Sequence, residues 1–118
     1  MFENKSPNPM IAGVLDVTAT EVNEQKGHVR LIDVRQPPEW SGELGHIPEA
    51  ELITLDTLPD RIEELPKDQT LVIVCRSGNR SAQATSFLKN NGFEEVYNMA
   101  GGMIAWNEEG YETADKND

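Results

Sequence analysis

A chain of 118 residues with 37% apolar side chains is long enough for one compact hydrophobic core and short for two. Its 10 basic and 21 acidic residues leave a net charge of -11, which argues against sequence-independent nucleic-acid binding and against an anionic membrane surface. A single cysteine excludes an internal disulfide and a zinc site built on several thiolates, and it fits a reducing compartment such as the cytoplasm.

The first residues, MFENKSPNPM, lack an apolar h-region and carry few basic groups, so no secretory signal is expected. Residues 1–12 hold two prolines, two asparagines and a serine, and they read as a flexible lead-in. Val14–Val17 is a short strand candidate. Thr18 and Glu21 stand at capping-box spacing and start a helix to about Gln25, with Gly27 as its stop. VRLIDV, at 29–34, reads as the next strand. Residues 35–50 contain three prolines and two glycines, which predicts a loop with a turn of helix near Pro38–Ser41. Glu51–Ile53 is a brief strand. Leu58, Ile62 and Leu65 follow at helical spacing, with Thr57 and Pro59 at the helix start. TLVIVC, at 70–75, is apolar on successive residues and reads as a strand buried on both faces. Ser81–Asn90 predicts a helix with Ala84, Phe87 and Leu88 on one face, closed by Gly92. EVYNM (95–99) predicts a fifth strand, and GGMIAWNEEG a short last helix between glycines. The polar tail, 112–118, reads as frayed. No apolar run approaches the ~20 residues of a membrane span.

Strands alternating with helices imply parallel pairing and an α/β sandwich of about five strands, with right-handed crossovers. The domain is expected over 13–111. Ligands in such sheets bind beyond the carboxyl ends of the strands, and Cys75 stands at that end of the central strand.

Six residues, Cys75, Arg76, Ser77, Gly78, Asn79 and Arg80, link that strand to the following helix. Backbone N–H groups in such a loop can curl inward as an anion-binding nest, and a helix start adds partial positive charge. Arg76 and Arg80 add full charges, and Gly78 permits a turn that a side chain would obstruct. A thiolate is favoured over a thiol in that field. The plain alternative is a core cysteine with solvent-facing arginines. Gly, two Arg and a helix start within six residues weigh against it.

The segment CRSGNRS after LVIV resembles the active loop of the rhodanese family. LIDVR (31–35) is similar to that family's strand ending in Asp-x-Arg, GHIPEA (45–50) to its Gly-His-Ile-Pro-Gly-Ala turn, and NMAGGMIAW (98–106) to its Gly-Gly-x-x-x-Trp ending. The resemblance spans about residues 14–111. It implies a three-layer rhodanese sandwich and a sulfurtransferase that needs no cofactor. It further implies that Cys75 attacks the outer sulfur of thiosulfate or another sulfane donor and becomes a persulfide, from which cyanide or a thiol takes the sulfur. The loop amides and Arg80 would hold the anionic group, with Arg76 at the entrance. Asp33 and Arg35 would support the loop. A carboxylate near two arginines can orient both by bidentate pairing. Glu49 stands where the family has glycine, so the turn is expected to differ locally if it needs a positive φ. Trp40 takes the place of an aromatic that packs the loop.

His46, between Gly45 and Pro48, reads as a structural hydrogen-bonder rather than as a base for Cys75, and His28 as a surface residue. One cysteine with no ligand-spaced partners gives no metal site. Gly101 and Gly102 lack the further glycine spacing and the lysine of a phosphate loop, so they read as a tight turn that lets Ile104 and Trp106 pack. Three rival functions remain in view. Cysteine phosphatases and arsenate reductases use a Cys-x5-Arg loop, whereas Cys75 to Arg80 is Cys-x4-Arg, a smaller ring suited to a sulfur atom. A silent binding module would usually lack the cysteine. A protein-to-protein sulfur relay would use the same residues as a thiosulfate enzyme. With no second cysteine to resolve it, a Cys75 persulfide must pass to an external acceptor, and the acidic surface suits a basic protein partner.

Overall fold

The computed structural model describes residues 2–115. In chain order the elements are β1 (Ser6–Pro7), β2 (Leu15–Val17), α1 (Ala19–Gln25), β3 (Arg30–Asp33), α2 (Pro37–Trp40), β4 (Ala50–Leu52), α3 (Leu58–Arg61), a 3-10 turn (Ile62–Glu64), β5 (Leu71–Val74), α4 (Asn79–Lys89), β6 (Val96–Met99) and α5 (Gly102–Glu108). They form one six-stranded sheet of order β1-β2-β6-β5-β3-β4. Five strands are parallel, and β1 runs antiparallel to β2.

The central strand shows why successive apolar residues mean burial on both faces. Along β5, Val72 and Val74 enter a core layer with Val22, Met103 and Trp106. Leu71, Ile73 and the following Cys75 enter the opposite layer with Leu58, Ala84 and Leu88. Side chains alternate across a strand, so a strand between two helical layers must be apolar at every position. Thr18 caps α1 as its spacing predicts, its hydroxyl accepting the Glu21 N–H at 3.1 Å. Gly27 follows that helix without taking a left-handed conformation.

Three features differ from the expectation. The first dozen residues are not a loose lead-in, because Phe2 is buried edge-on against Tyr97 and β1 adds a sixth, antiparallel strand. A two-residue Ser-Pro strand carries no apolar alternation to betray it. The helix α4 begins at Asn79 rather than Ser81, because Gly78, at φ 103°, turns the chain into it. The tail is tied down as far as Ala114, which exchanges backbone hydrogen bonds with His46, and Trp106 Nε1 donates to the Glu112 carbonyl. Residues 116–118 of that tail lie outside the described residues. Among the described residues, no helix is long and apolar enough to cross a membrane.

Candidate active site

Cys75 follows the last residue of β5 and is 1% exposed. The chain then leaves the sheet, reverses at Gly78 and enters α4. This path brings the Gly78 N–H to 3.1 Å from Cys75 Sγ, which accepts it. The first-turn amides of α4, at Asn79, Arg80 and Ser81, have no carbonyl one turn back within the helix. The positive end of the helix therefore faces the loop that carries the thiol. Arg76, Ser77 and Asn79 form its exposed rim.

Behind the thiol lies a buried polar chain. Ser81 Oγ is 3.2 Å from Cys75 Sγ and donates to Asn98 Oδ1 in a short hydrogen bond. Asn98 Nδ2 donates to Asp16 Oδ1 at 2.9 Å, and Asn8 Nδ2 donates to the same oxygen at 3.0 Å. A carboxylate only accepts, so the amide of Asn98 must turn its Nδ2 to Asp16 and its Oδ1 to Ser81. The Ser81 proton is thereby committed to Asn98, and its lone pairs face the sulfur. In the thiol form, Cys75 donates to Ser81 and accepts from Gly78.

The loop also rests on α5. Met103 N–H donates to the Cys75 carbonyl at 2.8 Å and Ile104 N–H to the Arg76 carbonyl at 3.0 Å. A side chain on Gly102 would collide with both carbonyls, and its φ of 55° is left-handed. The Gly101–Gly102 pair is thus a close-approach site for the active loop as well as a strand-to-helix turn.

In front of the loop stands α2. Arg35 is buried and grips Asp33 with Nε at 2.9 Å and Nη2 at 2.8 Å. Its remaining donors reach the carbonyls of Glu39 at 3.2 Å and Gly45 at 2.7 Å. Arg35 thereby ties the end of β3 to α2 and to the turn that follows it. Glu39 in turn holds Arg80 bidentately, at 2.7 and 2.8 Å. This guanidinium holds the Glu39 carboxyl down at about 2. A pocket of about 200 Å³ opens between this wall and Arg76, lined also by Glu43 and Leu44.

A model of the rhodanese-like domain matches residues 18–109. The chain belongs to the rhodanese family. This rhodanese is 45% identical over 78 residues to a sulfurtransferase of Allochromatium vinosum, covering 66% of the chain and 71% of that protein. It is 33% identical to the thiosulfate sulfurtransferase GlpE of Vibrio cholerae, over 78% of the chain and 85% of that protein. Among solved structures, a rhodanese-related protein from Thermoplasma volcanium superposes with a TM-score of 0.79 at 30% identity, covering 85% of this chain and 97% of that one. The chain is a rhodanese-type sulfurtransferase with the family's α/β fold.

Within this rhodanese the expected residues fall into place unequally. Cys75, Gly78 and the start of α4 converge as the spacing predicts. Asp33 does not orient two arginines, because the hydrogen bonds of its carboxylate all go to Arg35. Arg80 is instead claimed by Glu39. His46 is not among the hydrogen-bond partners of Cys75. Its Nδ1 bonds the Trp40 carbonyl at 3.0 Å, and the Trp40 ring stacks on it at 3.6 Å. Glu49 takes no positive φ, so the turn accepts a side chain there, and the left-handed residue of this stretch is Gly45 at φ 61°. Four residues were not singled out from the sequence: Glu39, Ser81, Asn98 and Asp16. For the last two a signal exists. A polar residue inside a strand that is otherwise apolar and buried needs a partner, and Asn98 in VYNM and Asp16 in LDV are such residues. Glu39 and Ser81 carry no comparable mark. Among the described residues, no three His, Cys, Asp or Glu side chains cluster as metal ligands.

Proposed function

We propose that this rhodanese moves a sulfane sulfur from thiosulfate or a persulfide donor to a thiophilic acceptor, through a persulfide on Cys75. The Cys75 thiolate attacks the outer sulfur of the donor. A new Sγ–S bond forms, the donor's S–S bond breaks, and the leaving group departs with the electron pair, as sulfite when thiosulfate is the donor. Cyanide or a thiolate then attacks the outer sulfur, takes it, and returns Cys75 as thiolate. The observation that carries this reading is the hydrogen bond from Gly78 N–H to Cys75 Sγ at the positive end of α4. That arrangement stabilises negative charge on sulfur where it appears and where it returns. Arg76, Ser77, Asn79 and Arg80 form the mouth through which donor and acceptor reach it, with Asp33 and Arg35 in support. A lone thiol fits action in a reducing compartment such as the cytoplasm.

The test is an intact mass after incubation with thiosulfate or methanethiosulfonate, followed by cyanide and a thiocyanate assay. The expected result is one added sulfur, lost to cyanide, with adduct and turnover both abolished in Cys75→Ser. Turnover that survives in Cys75→Ser, or efficient Cys75-dependent hydrolysis of an aryl phosphate, would overturn the proposal.

A further inference from the structure

Three arginines surround the mouth of the loop, yet two of them are already neutralised. Arg35 is 1% exposed and spends its guanidinium on Asp33 and two carbonyls. Arg80 is only a third exposed, and Glu39 spans it with both carboxylate oxygens. Arg76 alone makes no ion pair among the described residues. Glu43 sets another carboxylate in the adjoining pocket, and the chain as a whole carries -11. Among the described residues, Arg76 is therefore the one guanidinium at the mouth left without a carboxylate partner for a donor to meet.

We infer that Glu39 is a specificity-determining residue, which masks Arg80 and so selects donors of low charge over dianionic thiosulfate. The natural donor class is then an organic persulfide, free or carried by a protein. This rests on the sulfurtransfer proposed above and names its donor.

The charge balance shows why the mask matters. With thiosulfate, a thiolate and a dianion must meet, and sulfite leaves as a dianion, so three negative charges share the mouth throughout. With an organic persulfide RS–S⁻, the thiolate forms Cys75–S–S⁻ and releases RS⁻, so two negative charges are present throughout. Each extra negative charge near an unpaired guanidinium gains attraction that it does not gain near a closed ion pair. Glu39 reaches this position through α2. Pro37 and Pro38 start that helix, Glu39 oxygen caps the Gln36 N–H at 3.1 Å, and Arg35 holds the Glu39 carbonyl. The carboxylate is therefore built in place rather than a mobile surface group. Its pull on Arg80 is also short-range, so the salt that screens the overall acidic field leaves it largely intact.

Methanethiosulfonate is a suitable probe beside thiosulfate. It presents the same outer sulfur on the same tetrahedral sulfur centre, with a methyl group in place of one charged oxygen. Steady-state transfer to cyanide is measured with both donors for the parent chain, Glu39→Gln and the double variant Glu39→Gln/Arg80→Gln. In Glu39→Gln, the KM for thiosulfate should fall about tenfold, while that for methanethiosulfonate falls about threefold or less. The donor ratio of kcat/KM should return close to the parent value in the double variant, because the gain requires an unmasked Arg80. Equal changes for both donors in Glu39→Gln would overturn the role of Glu39 and leave sulfur transfer standing. So would a donor shift that persists in the double variant. Failure of the parent chain to load sulfur from either donor would remove sulfur transfer and this inference together.

Discussion

Behind Cys75 the loop rests on neutral hydrogen-bonding groups and one carboxylate, all buried between α4, β6 and β2. In front of it stands α2, whose contact to the loop is the Glu39–Arg80 ion pair. The two walls hold the same loop and do different work. The rear wall sets which lone pairs and protons meet Cys75, and its members are 0 to 8% exposed. The front wall sets the charge that an incoming donor meets, and its Glu39–Arg80 pair is about a third exposed. Burial suits the first task, because a hydrogen-bond direction must not fluctuate with solvent. Partial exposure suits the second, because the donor has to pass.

The largest expected effect breaks the anchor of the front wall. Arg35→Met leaves Asp33 as a buried carboxylate without its partner and frees the carbonyls of Glu39 and Gly45. Loss of one member of a buried pair costs about 3–5 kcal/mol. Guanidinium unfolding should show a midpoint lowered to match, and a midpoint within error of the parent would mean that the pair is dispensable. A middling effect sharpens the contrast from the rear. Asn98→Ala leaves the Ser81 hydroxyl and the Asp16 carboxylate without a shared partner, at a cost of about 1–3 kcal/mol. Sulfur loading measured by intact mass should slow, while the preference between thiosulfate and methanethiosulfonate stays as in the parent. A changed donor preference in Asn98→Ala would erase the division between the walls. The smallest effect is an acid limb. Glu39 has an ordinary value of 4.5, lowered to about 2 chiefly by its hydrogen bonds with Arg80. A depressed carboxyl stabilises the fold above its unfolded value, and that stability is lost as the pH falls through the folded one. Urea midpoints of the parent should thus fall more steeply between about pH 4.5 and 2 than those of Glu39→Gln. Parallel curves would show that the pair adds nothing to folding.

How much of this was legible beforehand differs by residue. The parallel strands were readable because β-branched runs without alternation can only be buried on both faces. The Thr18 cap followed from spacing, and the placement of Cys75 followed from the end of an apolar run meeting a glycine and a helix start. The strand β1 was not readable, since Ser6 and Pro7 have no pattern and the pairing depends on β2. The partner of Arg80 was not readable either. Glu39 lies 41 positions away, and its approach depends on how Arg35 draws α2 against the end of β3. A carboxylate at Asp33 was expected to orient two arginines, and the fold commits it to Arg35 alone.

Asp16 and Asn98 stand 82 positions apart and meet at 2.9 Å beneath the loop. The segment Cys75–Arg80 is therefore not a portable cassette. Grafted onto the strand end of another parallel sheet, it would bring the nucleophile and the Gly78 amide. It would leave behind Ser81, the amide that orders Ser81 and the carboxylate that orders that amide. It would also lack a glycine opposite its carbonyls, in the place of Gly102. A transplant that keeps the chemistry has to carry two further strand positions and one helix start, which amounts to most of the sheet.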